Sequence, residues 1–291
     1  MLPDNLLKWT KVLIAKYQLK PGRRLGQHFL IDRSVIEEVL TVADLKPNQA
    51  VLEVGGGFGT LTLFLLEKKV NLTVVELDKK LASILEGYKK FSTNFKVVEA
   101  DILKISDTEL KQALNLSINQ SWFLLANLPY EISGAFLRRF LSGSFKPSRM
   151  VLLLQKEVAD RLAAKPGQLS LLGLQAQLNA QVQVFKKVTP AAFLPPPKVG
   201  SAVVRLDIKS AEDKTKLLAG LSEDFFWRVA KTAFTTKRKQ LVGSLSAGLA
   251  LDRAFITQAL HKVNLKTTAR PQELSLEQWI GLSKELVIRF L

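Results

Sequence analysis

Ala50-Val51-Leu52-Glu53-Val54-Gly55-Gly56-Gly57-Phe58-Gly59-Thr60 is the stretch that decides the fold. Its first half is apolar, branched and too short for a buried helix, so it predicts a strand. Its second half spaces Gly55, Gly57 and Gly59 as G-x-G-x-G, which lets the chain turn sharply and a ligand lie against bare main chain before a helix opens at Thr60. Three further runs of the same texture follow at 72–75, 95–98 and 122–126, and amphipathic helices are predicted between them over 60–68, 79–88 and 108–114. Strand alternating with helix means a parallel, doubly wound α/β sheet. Runs at 150–154, 183–185 and 202–208 extend that sheet, the last two as a candidate antiparallel pair at its edge.

In such sheets ligands bind beyond the carboxyl ends of the strands. The residues standing there are the glycine turn, Glu76, Asp101 and Asn127. Glu76 can accept both hydroxyls of a ribose, an arrangement shared by NAD and S-adenosylmethionine sites, and Asp101 can accept from an adenine amino group. Thr60 stands where a dinucleotide fingerprint has its third glycine, which disfavours an NAD-dependent oxidoreductase, and the Gly-Lys-Ser/Thr of a P-loop is missing. Asn127-Leu128-Pro129-Tyr130 is the deciding element for chemistry. An adenine N6 amine is a poor nucleophile because its lone pair is delocalised into the ring. The Asn127 side-chain oxygen and the Leu128 carbonyl can each accept one amine hydrogen and localise that pair, with Pro129 fixing the turn and Tyr130 offering a ring to an extruded base.

The chain has 291 residues, 47% of them hydrophobic, with no cysteine and two histidines, His28 and His261. That excludes disulfides, thiolate zinc and a cysteine nucleophile, and makes a histidine-rich metal site unexpected, so no metal is assigned. No apolar run approaches the roughly 18 residues of a membrane span. Residues 1–20 spread Asp4, Lys8, Lys11 and Lys16 among apolar residues with no export signature, so a cytoplasmic location is expected. Charge is the unusual property: 42 Lys+Arg against 26 Asp+Glu give +16. Residues 1–30 hold six basic and one acidic side chain, and residues 209–291 hold 14 and 8, so much of the excess sits at the two ends. Basic ends suit a polyanion such as nucleic acid. Beyond residue 209 the texture becomes helical: Phe226, Val229, Ala230, Ala233 and Phe234 form one stripe, and Ser275 with Gln278 predicts a capping box opening a last helix.

These residues together resemble the small-subunit ribosomal RNA adenine N6,N6-dimethyltransferases of the KsgA type. The markers are Gly26-Gln27-His28-Phe29-Leu30, Val51-Leu52-Glu53-Val54-Gly55, Val75-Glu76-Leu77-Asp78 and Asn127-Leu128-Pro129-Tyr130-Glu131-Ile132-Ser133. Further along come Leu154-Gln155-Lys156-Glu157-Val158-Ala159-Asp160-Arg161-Leu162, then Phe193-Leu194-Pro195-Pro196-Pro197-Lys198-Val199-Gly200-Ser201, and Ala233-Phe234 with Lys237-Arg238-Lys239. The resemblance implies a Rossmann-like class I methyltransferase sheet over residues 1–208, with 1–25 a basic extension, and a smaller all-helical rRNA-binding domain over 209–291. It implies S-adenosylmethionine held by His28, Leu30, Gly55, Gly57, Glu76, Asp101 and Asn127. Asn127, Leu128, Pro129, Tyr130 and Phe193 would form the catalytic set, the target adenine lying between Tyr130 and Phe193. The implied substrate is two adjacent adenines in the 3′-terminal hairpin of small-subunit (16S) rRNA, met on an immature 30S particle by a monomer. Arg23, Arg24, Lys198, Arg228, Lys231, Lys237, Arg238 and Lys239 are the candidate RNA contacts. The sequence departs from the family pattern at Gly56 (usually proline), at His28 and Glu131 (commonly asparagine), at Gly200 (commonly aspartate) and in a short loop at 165–170. Two other readings compete. A large-subunit rRNA adenine dimethylase of the antibiotic-resistance type shares the donor site but not the 237–239 region, and a non-enzymatic assembly or transcription factor on this fold would not need an intact Asn127–Tyr130 turn.

Overall fold

The computed structural model describes residues 2–19, 27–236 and 239–290. In chain order they form α1 (Leu6–Lys16), β1 (Phe29–Leu30), α2 (Arg33–Ala43), β2 (Ala50–Val54), α3 (Thr60–Glu67), β3 (Asn71–Glu76) and α4 (Lys79–Glu86). Then come β4 (Phe95–Glu99), α5 (Asp107–Leu114), β5 (Trp122–Asn127), α6 (Ser133–Ser142), β6 (Arg149–Gln155) and α7 (Lys156–Leu162). After α8 (Leu171–Asn179), β7 (Ala180–Val188), β8 (Phe193–Leu194) and β9 (Ser201–Ile208), the chain continues as α9 (Ala211–Leu218), α10 (Glu223–Phe234), α11 (Leu241–Leu249), α12 (Arg253–Lys262) and α13 (Leu276–Val287). Two compact units result, one made of residues up to Ala159 with Val182–Ile208, the other of Asp160–Gln181 with Lys209–Leu291.

The first unit is built on a seven-stranded sheet in the order β4-β3-β2-β5-β6-β9-β7. The pairs β2–β3, β3–β4, β2–β5 and β5–β6 are parallel, and β6–β9 is antiparallel. The class I methyltransferase sheet is thus present, and the strand order reverses between β2 and β5, where a cleft must open at the carboxyl ends. All five residues of β2 are buried, because helices cover both faces of its sheet. Gly55, Gly57 and Gly59 all sit at positive φ, at 75°, 58° and 89°. Gly59 also caps α3, and a side chain there would collide with the ring of Tyr88, whose hydroxyl donates to the Phe58 carbonyl at 2.8 Å. At Gly56 a Cβ would stand 2.7 Å from Val74 Cγ1 and 2.9 Å from Leu85 Cδ1. A side chain at this position would therefore need Val74 and Leu85 to shift.

Two strands of this unit, β1 and β8, are too short to read from sequence. β1 and β8 pair antiparallel, Phe29 with Leu194 and Leu30 with Phe193, fastening the segment before α2 to the one before β9. α1 lays Trp9, Leu13 and Ile14 against Phe29, Phe58, Leu81 and Ile84.

The second unit is helical around Phe226, Val229, Ala230, Ala233, Leu245, Leu260 and Trp279, with Phe234 and Trp279 stacked at 5.5 Å. The Ser275–Gln278 capping box forms as read. The chain does pass between units at 208/209, but the helical unit also takes in Asp160–Gln181, which the sequence reading placed with the sheet. Leu174 and Leu178 of α8 are fully buried in the helical core. The short loop at 165–170 is likewise part of this unit, its Gly167 and Leu169 N–H groups both donating to the Gln272 carbonyl.

Candidate active site

At the carboxyl ends of β2, β3 and β5 lie two adjoining cleft halves that share Gly55, Glu76, Leu77 and Pro129. One, about 620 Å³, is lined by Gln27, His28, Phe29, Gly57, Asn127 and Tyr130 among others; the second, about 670 Å³, by Asp101, Ile102, Leu103, Glu131 and Ile132.

Glu76 ends β3 and is 6% exposed. Its Oε2 accepts from the Gly57 N–H and its Oε1 from the Asp78 N–H, both at 2.9 Å. Burial raises its pKa, against the lowering effect of those two donors. Each oxygen keeps a second acceptor site, so the carboxylate is oriented by the backbone and still able to take a diol. Glu76→Ala should cost about 1.5–3 kcal/mol of adenosine-moiety binding, tenfold to a hundredfold by calorimetry, and unchanged affinity would remove it from the site. Asp101 follows β4 and folds into an Asx turn, its Oδ1 accepting from the Leu103 N–H at 2.9 Å. Its Oδ2 faces only a long, exposed approach from Lys104 at 3.7 Å.

Asn127 closes β5, and its Nδ2 donates to the His28 carbonyl at 2.9 Å. A carbonyl only accepts, so the amide nitrogen must face His28 and Oδ1 is turned the other way. Leu128 also lines the cleft, although the residue as a whole is only 2% exposed. Tyr130 is braced twice: its hydroxyl bonds Ser201 Oγ at 2.9 Å, and its ring lies 5.5 Å from that of His28 at 30°. Burial raises the Tyr130 pKa, opposed by the Ser201 bond. His28 is itself held by Pro195, Nδ1 to carbonyl oxygen at 2.7 Å.

Two expected site residues do not face this cleft. Phe193 is 2% exposed and Leu30 4%; paired across β1 and β8, both pack into the main core with Val35 and Val188. Within the same β1 segment, Phe29 and the preceding His28 line the cleft. Phe193→Ala should lower stability by about 3–5 kcal/mol in urea unfolding through a core cavity. Tyr130→Ala should leave stability nearly intact and weaken RNA docking by about 1–3 kcal/mol. Equal effects on both readouts would contradict the distinction.

Of the basic candidates, Lys198, Arg228, Lys231 and Lys239 are exposed. α10, which carries Arg228 and Lys231, stops at Phe234. Arg23, Arg24, Lys237 and Arg238 lie outside the described residues. Sequence reading passed over Glu53, buried on β2 and bonded by Thr62 Oγ1 at 2.7 Å, and Arg139 on α6. Among the described residues no group of His, Cys, Asp or Glu is arranged to hold a metal, and no helix is long and apolar enough to cross a membrane.

The family profile described as ribosomal RNA adenine dimethylase matches residues 19–287. The chain belongs to the ribosomal RNA adenine dimethylase family. A relative in Dehalococcoides mccartyi, ribosomal RNA small subunit methyltransferase A, is 38% identical over 281 residues, covering 97% of this chain and 94% of that one. A protein of the same name in Alkaliphilus metalliredigens is 33% identical over 284 residues, with 96% of each chain covered. Among solved structures, a dimethyladenosine transferase from Plasmodium falciparum superposes with TM-score 0.73 at 23% identity, covering 90% of this chain and 97% of that one. The 23S rRNA methyltransferase ErmE gives TM-score 0.68 at 24% identity over 89% and 99%. These two show the shared fold. As an adenine dimethylase, the chain is an enzyme that transfers methyl groups.

Proposed function

We propose that this dimethylase uses S-adenosylmethionine to dimethylate the N6 amines of two adjacent adenines in the 3′-terminal hairpin of small-subunit rRNA during subunit assembly. The observation that carries the reading is the orientation of Asn127: its amide nitrogen is committed to His28 and its oxygen left to accept, beside a cleft with oriented carboxylates at Glu76 and Asp101. The names of the full-length relatives support the small subunit as substrate.

The residues present fit the donor. Glu76 suits the ribose diol and Asp101 the adenine amine, while the turn from Gly55 to Gly57 lets main chain approach without a Cβ. Bound there, S-adenosylmethionine supplies a methyl group on a positively charged sulfur, ready for in-line displacement. Asn127 Oδ1 accepts one hydrogen of the target amine and the Leu128 carbonyl the other, drawing the nitrogen toward tetrahedral geometry. Tyr130, held by Ser201 and His28, stacks the base. The alkylated nitrogen is acidic enough to release its proton to water, so positioning rather than a strong base carries the rate. For the second methyl only one N–H remains, a situation that a neutral amide oxygen tolerates.

Lys198 on the first unit and Arg228, Lys231 and Lys239 on the second track phosphates in this reading. Replacing Arg228, Lys231 and Lys239 together should flatten the dependence of log K on log salt for small-subunit binding by about two to three units. A wild-type slope in that variant would make them a solvated face. The function itself is tested by incubating undermethylated small subunits with labelled donor: label should enter their rRNA, and absence of label would refute the reading.

A further inference from the structure

Arg139 lies on the helix that continues from the catalytic turn, yet its guanidinium serves the opposite wall of the cleft. It is 16% exposed. Nη1 donates to the Ile102 carbonyl in a short contact, and Nη2 donates to the Ile105 carbonyl at 2.5 Å and to Asp107 Oδ1 at 3.1 Å. Asp107 is fixed in turn by Ser144 Oγ, 2.7 Å from its Oδ2. The two carbonyls belong to the loop that begins at Asp101, whose own carbonyl accepts from the Lys104 and Ile105 N–H groups at 2.9 Å. Asp101, Ile102 and Leu103 wall one side of the second cleft half; Pro129, Glu131 and Ile132 wall the other. Helix α6 starts at Ser133, one residue beyond that second wall. One side chain thus spans from the wall that carries the Asn127–Tyr130 turn to the loop behind Asp101.

Only a guanidinium can do this. Its planar fork presents several N–H donors at once, whereas an ammonium is a compact point charge unable to reach two separated carbonyls and a carboxylate in one plane. With the fork gone, two part-buried carbonyls lose their donors and the Asp101 loop loses its tether to α6.

We propose that Arg139 is a positioning residue of the methyl-donor site: by clamping the Ile102 and Ile105 carbonyls it sets the separation of the two walls that grip the donor's adenine, and couples that grip to the catalytic turn. The inference rests on the donor reading above. It acts on donor binding and not on the chemical step or the RNA surface, so its signature is a split between kinetic constants.

The test uses the full chain with undermethylated small subunits. Arg139→Met should raise the KM for S-adenosylmethionine about tenfold or more, keep kcat at saturating donor within about threefold, and leave small-subunit affinity unchanged. Arg139→Lys, which keeps charge and packing, should give an intermediate KM, and it serves as the readout if the methionine variant does not fold. Asp101→Ala is run beside them. Unchanged donor KM in both Arg139 variants, with Asp101→Ala impaired, overturns the clamp and leaves the donor reading standing. Unchanged donor KM in all three overturns both. A fall in kcat without a rise in KM also overturns the clamp.

Discussion

Asn127→Ala is expected to slow single-turnover methyl transfer by about 10²–10³-fold, the usual effect of deleting one preorganised hydrogen bond that strengthens as the reaction proceeds. Small-subunit affinity should change little, because phosphate contacts rather than this amide supply it. Asn127→Asp should restore little of the rate, since a carboxylate oxygen would be set against the His28 carbonyl that now receives the amide N–H. A near wild-type rate in Asn127→Ala would show that the amine is not activated by this turn.

The second large effect is on stability, and it comes from Glu53. This side chain is 1% exposed in the middle of a parallel sheet, with Thr62 as its hydrogen-bond donor. Burial pushes its pKa up from 4.5 to about 8, the Thr62 bond pulling it down and the Glu76 carboxylate adding to the rise. In the unfolded chain the same group ionises near its ordinary value. Between those two values the folded state holds a proton that the unfolded state has lost. Stability from this group is therefore complete below about pH 4.5 and is lost as pH rises toward 8, at up to about 1.4 kcal/mol per pH unit and several kcal/mol in all. The carboxyls held below their ordinary range, Asp44, Glu109, Asp213 and Glu277, act in the opposite direction and only in acid. Urea unfolding from pH 5 to 8 should show the wild type losing stability relative to Glu53→Gln, which keeps shape and a polar partner for Thr62. Parallel pH profiles for the two proteins would mean that Glu53 is ionised in the fold.

Glu53 also illustrates where sequence reading stops. β2, β3, β5 and β6 are legible because strands buried on both faces read as nearly unbroken apolar runs, whereas β4, at the sheet edge with Lys96 exposed, shows only through Phe95, Val97 and Val98. A carboxyl inside such a run carries no separate signal, since its burial depends on the opposite sheet face and on Thr62 arriving from α3. Asn127 could be assigned a role from its neighbours in sequence, but the bond that orients it comes from His28, 99 positions away. The burial of Phe193 is illegible for a related reason: a two-residue ladder with Leu30 is too short to leave a periodic pattern. The segment Asp160–Gln181 precedes a sheet strand in the chain, so only the buried Leu174 and Leu178 reveal that it packs with the C-terminal helices. Arg139 looks like any basic residue on an amphipathic helix until the loop carbonyls it holds are seen.

The central claim is that the Asn127–Tyr130 turn and its cleft dimethylate adenine in small-subunit rRNA. Its most direct test is mapping modified adenosines by nuclease digestion and mass spectrometry after immature small subunits are incubated with the protein and S-adenosylmethionine. N6,N6-dimethyladenosine is expected at two adjacent positions of the 3′-terminal hairpin and nowhere else. Dimethyladenosine formed instead in large-subunit rRNA, or small subunits left unmodified while the donor binds, would contradict it.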